Sequence, residues 1–422
     1  MLIHNKNQKP VSGFAHPLFL LIFVVVLAVV GFAGYRVVNG GKSKNSATPQ
    51  SKSTQASIAG LPQVDGAADC STGKQLFTTA LMPADKISTI IPLGNFAPPG
   101  HINPTAHMYY NYINAASSKT TMYSPADMIV TRVTLFDNGS ATTPFDSYRI
   151  DFALCNQVRG YFIHVITIND KLKAAFTQPY DQTQTSDVGA ANPDHTYSKS
   201  VNIKLKAGEM LGTGGGTPYL PGGVDVGLSD YRNPVPTLAN PARWTLDSHY
   251  VCSLDYFPAG ISTALYAKIG DYNGLRNPGD PKCGEVYPDK PGTAQGVWFE
   301  KGVAGPTALG PVEAALTLGS NNFNHSQQVF SMGNDLQKLG LTTGAVYGFT
   351  PTGSGQRDRN FAQVTDNQVY CYQTTNLNDS TAPKQAILVQ LLDKTTLRVA
   401  KLGAACGNSP WQMAASYIDY VR

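Results

Sequence analysis

Apolar and polar side chains alternate in short runs along most of this chain, and in a strand successive side chains point to opposite faces. In residues 93–113 the alternation sets Met108, Tyr110 and Tyr112 opposite Tyr109; in 122–136 a loop at Pro125, Ala126 and Asp127 precedes Ile129, Thr131, Val133 and Leu135. Residues 147–155 (SYRIDFALC) and 160–168 (GYFIHVITI) read as two strands, and the short link between them predicts an antiparallel hairpin. Residues 201–216 predict a strand, a turn at Ala207 and Gly208, and a second short strand ending in glycines. Only Ile261, Leu265 and Ile269 recur at four-residue steps, which predicts one helix over 261–269. Six strand-length runs beyond residue 303 (ALTLGS, QVFSMG, AVYGFT, NQVYCYQ, AILVQLL, TLRVAKL) are separated by Gly, Asn, Asp or Pro, with a turn at Asp393 and Lys394. They predict a small antiparallel barrel or sandwich.

One run breaks this pattern. Between His16 and Arg36 the chain is apolar and uncharged over about the length a helix needs to cross a hydrocarbon core. The reading is therefore an N-terminal cytoplasmic tail (1–16), a retained transmembrane helix (17–38), a flexible polar linker (39–66), a β-domain with an appended segment (67–302) and a C-terminal β-domain (303–422). Lys6 and Lys9 before the span are balanced by Arg36, Lys42 and Lys44 after it, so the long cysteine-bearing remainder sets the orientation. That places a single-pass protein in the plasma membrane with the bulk of the chain extracytoplasmic.

Composition strengthens the β reading: 40 Gly and 28 Pro stand against only 14% charged residues. The net charge of +4 is spread without a long basic run, which argues against nucleic acid as a partner. All six cysteines, Cys70, Cys155, Cys252, Cys283, Cys371 and Cys406, lie beyond the span with no CxxC pair. An oxidising compartment favours three disulfides, with Cys371 and Cys406 paired inside the C-terminal unit and the remaining connectivity open.

Chemistry-bearing residues gather between 98 and 230. His107 and Asn111 form H-x-x-x-N, His164 closes the run Tyr161-Phe162-Ile163-His164, SPADM spans 124–128, an Ala-Gly-Glu turn leads into Leu-Gly-Thr-Gly, and a strand ends in Val224-Asp225-Val226. In strand order and turn spacing the stretch 101–230 resembles the M23 (LytM-like) metallopeptidase domain, a barrel-sandwich hybrid related to lipoyl and biotinyl carriers. The resemblance implies a zinc site built from H-x-x-x-D and a closing H-x-H, and this chain departs from both. Asn111 puts a neutral amide where the acid belongs, and Val224-Asp225-Val226 replaces the closing motif, with no histidine between His195 and His249. The valines occupy the expected face, so Asp225 would reach the site only in a register shifted by one. Without an acid and a second imidazole, zinc has too few ligands.

The expectation is a mainly β, non-catalytic M23-like domain that binds or scaffolds at the cell envelope, holding no cofactor and meeting the membrane through residues 17–38 and peptidoglycan or another envelope component. The alternative is an active zinc-dependent peptidoglycan endopeptidase with His107 and Asp225 on the metal. His107 and His164 otherwise read as satisfied histidines of a β interior, His101 and His195 as solvated loop histidines, Gly214-Gly215-Gly216 as a tight turn, Trp298 as a packing anchor, and Arg357 and Arg359 as a polar hairpin tip. No G-x-S-x-G elbow is present, and Asp225 with Asp230, or Glu285 with Asp289, are the available paired carboxylates.

Overall fold

In a computed structural model of the chain the described residues are 61–98, 101–138, 145–186, 194–217, 222–244, 248–274, 279–303, 315–342, 344–403 and 405–422. The expected tail (1–16), membrane span (17–38) and most of the linker (39–66) lie outside them. Among the described residues no helix is long and apolar enough to cross a membrane.

The first part holds eleven strands: β1 (Ile87–Ile91), β2 (Met108–Tyr112), β3 (Lys119–Tyr123), β4 (Met128–Asn138), β5 (Phe145–Ala153), β6 (Val158–Val165), β7 (Thr167–Ile168), β8 (Gln182–Ser186), β9 (Asp194–Leu205), β10 (Met210–Gly215) and β11 (Gly223–Asp230). Two short helices, α1 (Asp170–Ala175) and α2 (Ala259–Tyr266), accompany them. Eight strands make one antiparallel sheet in the order β1-β2-β11-β6-β5-β4-β9-β8, and β3-β10-β7 make a second. The expected hairpin is present as β5 paired with β6.

Alternation decides which face is buried. Met108, Tyr110 and Tyr112 of β2, Val224, Val226 and Leu228 of β11 and Phe162 of β6 share one core with Met122, Leu211 and Ile168 of the smaller sheet. Burying each such side chain stabilises the fold by roughly 1.5–3 kcal/mol before entropy is counted. The other face of the large sheet is left for polar chemistry. Helix α2 stops at Tyr266, short of the expected 269, because Ile269 bridges β1: Ile90 N–H donates to Lys268 O and Gly270 N–H to Ile90 O.

The remaining eight strands, β12 (Gly296–Glu300), β13 (Ala315–Ser320), β14 (Gln328–Met332), β15 (Val346–Phe349), β16 (Val369–Asn376), β17 (Gln385–Asp393), β18 (Thr396–Leu402) and β19 (Tyr417–Val421), form a closed antiparallel barrel in sequence order. Its closing pair, Phe299 with Val421, uses β12, which lies before residue 303. The interior is filled by Trp298, Phe330, Phe349, Phe361, Tyr372 and their aliphatic neighbours, so it is a packed core. Trp298 is fully buried there, its indole N–H donating to Ala294 O at 2.9 Å with the Arg422 guanidinium over its ring. Cys371 and Cys406 pair as expected; the other disulfides are Cys70–Cys155 and Cys252–Cys283. Barrel and sheet meet at a small apolar cluster of Ile102, Leu238, Trp244, Val297, Phe299 and Ala315.

Candidate functional site

On the polar face of the large sheet, three adjacent strands aim side chains at one spot. His107 stands at the entry to β2, whose Tyr109 pairs with Asp225 of β11, which in turn pairs with Ile163 of β6. Since Val224 and Val226 enter the core, Asp225 projects to the opposite side, and His107 stands on that side too. The sequence expectation that the valine face carries the site is thus corrected: the valines face the core and Asp225 faces the histidine.

His164 arrives by a different route. Strict alternation would put it beside Phe162 in the core, but β6 advances three residues, from Phe162 to Val165, while its partner β5 advances two, from Ile150 to Tyr148. The extra residue makes a bulge, a device that re-aims a side chain. His164 adopts φ 68° within it, a left-handed conformation uncommon outside glycine. Its imidazole thereby reaches Asp225 while Val165 returns to the core.

The geometry that results is one carboxylate oxygen approached by two imidazoles. His107 Nε2 lies 3.4 Å and His164 Nε2 3.5 Å from Asp225 Oδ2. His107 Nδ1 faces Tyr161 Oη at 3.3 Å. Tyr161 reaches that position because Gly227 beneath it lacks a side chain: a Cβ there would stand 2.3 Å from the ring. The Arg149 guanidinium lies 4.1 Å over the same ring and donates two hydrogen bonds to Asp151, at 2.9 and 2.7 Å. His101 packs edge-on against His107 with ring centroids 5.6 Å apart, and Tyr109 lies on its other side at 4.8 Å.

Burial sets the charge state. It pushes the Asp225 carboxyl well above the ordinary carboxylate range, against the pull of the Arg149 charge. It lowers His101 and His164 to about 4, with His101 also disfavouring charge on His164. His107 is held well below its usual value by burial first and then by His101, His164 and Arg149. Burial opposes the charge on Arg149 as well, but Asp151 outweighs it and raises the guanidinium. Burial therefore works against charge on every member of the cluster, favouring the protonated carboxyl and the neutral rings. His101 Nε2, His107 Nε2, His164 Nδ1 and Asp225 Oδ1 are all buried without a hydrogen-bond partner. Orphaned polar atoms of this kind cost free energy, and each is ready to accept a partner.

His107, His164 and Asp225 do not make a metal centre as placed: among the described residues no group of three or more His, Cys, Asp or Glu is arranged to hold an ion. Both rings share a single oxygen, and Asn111, paired with Thr89 and Gly223 two positions beyond Tyr109, directs its amide oxygen over Gly223.

Of the candidates named from the sequence, His107, His164 and Asp225 converge. His101, expected in a solvated loop, instead has its Nε2 buried beside His107; His195 lies on β9, hydrogen-bonded to Thr185. Arg149 and Asp151 are not among the candidates read from the sequence, and Tyr161 enters there only as the head of the run that His164 closes; alternation on β5 and β6 is the signal that places all three on the site face. Asp230 faces away: it accepts from Arg232 and Tyr256 and ties down residues 71–73 through the Arg232 guanidinium. Asp289 accepts from Val297 N–H, Ala239 N–H and the Trp244 indole, which makes it a structural pin.

No protein family, curated protein or solved structure matches the chain.

Proposed function

We propose that this is a membrane-anchored extracellular binding or scaffolding protein whose first domain is a non-catalytic, M23-like barrel-sandwich body acting at the cell envelope. The anchor is the apolar run 17–38, and the partner is peptidoglycan or another envelope component. One observation carries the reading: a buried carboxyl group wedged between two imidazoles, in a cluster with four orphaned polar atoms. Such a site offers hydrogen bonds to a ligand. Two sheets around one core support the domain reading.

The test is co-sedimentation of the purified protein with cell-wall sacculi. Wild type should pellet with sacculi, and Asp225→Ala should lose most of that binding while retaining its melting temperature to within a few degrees. Equal pelleting of the two proteins would remove the site from the account. The second reading, an active zinc endopeptidase, is favoured by the approach of both Nε2 atoms to a single carboxylate oxygen. About one zinc per chain, lost on His107→Ala, together with release of soluble muropeptides, would establish it and overturn the first.

A further inference from the structure

A strap of chain runs beside the His107, Asp225 and His164 cluster in two described arms, 92–98 and 101–106, with its His101 ring against His107 and close enough to His164 to disfavour charge there. The arms are tied to each other: Gly94 N–H donates to Thr105 O, Thr105 N–H to Asn95 O, and Ala97 and His101 exchange backbone hydrogen bonds. What the strap lays on the site is polar, with His101 against His107 and Asn95 donating to Tyr272 Oη at 3.3 Å. What fixes it from outside belongs largely to the barrel. Ile102 joins the apolar cluster of Val297, Phe299 and Ala315; Thr317 Oγ1 donates to Asn103 Oδ1 at 2.9 Å; Asn322 Nδ2 donates to Pro92 O at 3.2 Å. Leu93 N–H, donating to Cys283 O at 3.0 Å, adds a tie to the segment beside the Cys252–Cys283 disulfide.

The two surfaces of the strap thus differ in kind. Its barrel side is held by apolar burial and satisfied hydrogen bonds. Its site side carries the orphaned His101 Nε2, and the cluster beside it holds the orphaned His107 Nε2, His164 Nδ1 and Asp225 Oδ1. Opening would hydrate those four atoms, so closure over the site is weakly favoured and rests on the barrel's grip.

We propose that the strap is an autoinhibitory cover over the cluster, kept shut by the barrel strands β12 and β13 and the loop that follows β13, so that loosening the barrel contacts exposes the site. The proposal rests on the binding role given above, but its test reads opening directly. Full-length protein is treated with diethyl pyrocarbonate, and modification of each histidine is followed by mass spectrometry. In wild type His107 and His164 should react far more slowly than half-exposed His195, the internal reference. Thr317→Val, which removes one buried hydrogen bond to the strap, should speed His107 modification by about fivefold and leave His195 unchanged. Asn322→Ala, which frees Pro92 O, should act in the same direction and keeps the test decisive if Thr317→Val misfolds. Modification of His107 as fast as His195 in wild type, or at unchanged rates in both variants, would overturn the cover. Loss of sacculus binding with accelerated labelling intact would instead count against the binding role alone.

Discussion

His164 is the most unusual residue of the site, since an L side chain held at φ 68° carries strain of order 1–3 kcal/mol that its surroundings must offset. Two replacements separate the strain from the loss of the imidazole. His164→Gly should be more stable than His164→Ala by about 1 kcal/mol in urea denaturation, because both lose the ring and only glycine adopts positive φ freely. Equal stabilities would mean that the bulge relaxes once the ring is gone. The histidines also fix an acid response. His101 and His164 titrate near 4 when folded and near 6.5 when unfolded, so between these values the unfolded chain binds protons the folded one refuses, and stability falls as pH falls. Asp225 works the other way, since its raised carboxyl holds a proton that the unfolded chain releases above about pH 4. Three histidines, His107 included, outnumber the one carboxyl, so the net effect of acidification across that window is a loss of stability. Thermal melts from pH 7 to 4.5 should show the midpoint dropping, and a flat profile would contradict neutral buried rings. At this scale His107 and His164 were legible as candidates. The partnership of Asp225 was not, because the resemblance assigned the site to the valine face while core burial claims the valines.

The elements around the site repeat the lesson with a physical cause. The β5–β6 hairpin was readable because alternation and a short loop are local signals. The bulge at its far end was not, since nothing in Tyr161-Phe162-Ile163-His164 marks a left-handed histidine, and only the pairing to β5 reveals the extra residue. The arms of the strap look like proline-flanked loop in sequence, and their burial depends on docking against a barrel about 200 residues further on, as with Thr317 and Asn103 at a separation of 214. Gly227 offers an element-level check. Gly227→Ala would drive a Cβ into the Tyr161 ring, so the ring must shift and lose its contact with His107. The expected destabilisation is about 1–3 kcal/mol with a clear loss of sacculus binding. A neutral substitution would show that Tyr161 does not set the position of His107.

For the whole molecule the barrel determines where the chain can be divided. Its strands were individually visible and its boundary was not, because closure joins β12 to β19, more than a hundred residues apart. From the sequence Trp298 reads only as a packing anchor within 67–302, which is how a strand looks when its partner is remote. A fragment of residues 303–422 lacks β12 and leaves β13 and β19 with unpaired edges, a state prone to edge-to-edge association. Residues 286–422 keep β12, the Asp289 hydrogen bond to Val297 N–H, and the Thr293 and Gln295 carbonyls that receive Arg422. In gel filtration the longer fragment should run as a monomer and the shorter should aggregate; a monomeric, cooperatively melting 303–422 would refute the closure.

The Cys70–Cys155 disulfide lies just past the point where the polar N-terminal run joins the folded body, and it fastens that point to the loop between β5 and β6, near the middle of the large sheet. Cys70 N–H donating to Gln157 Oε1 at 2.8 Å and the Arg232 guanidinium on Ser71 O and Gly73 O secure the same spot. A pull on the chain ahead of Cys70 would be borne by a covalent link to central strands and shared across their ladders in shear. The outermost strand, β1, which would unzip one hydrogen bond at a time, is thereby relieved of the load.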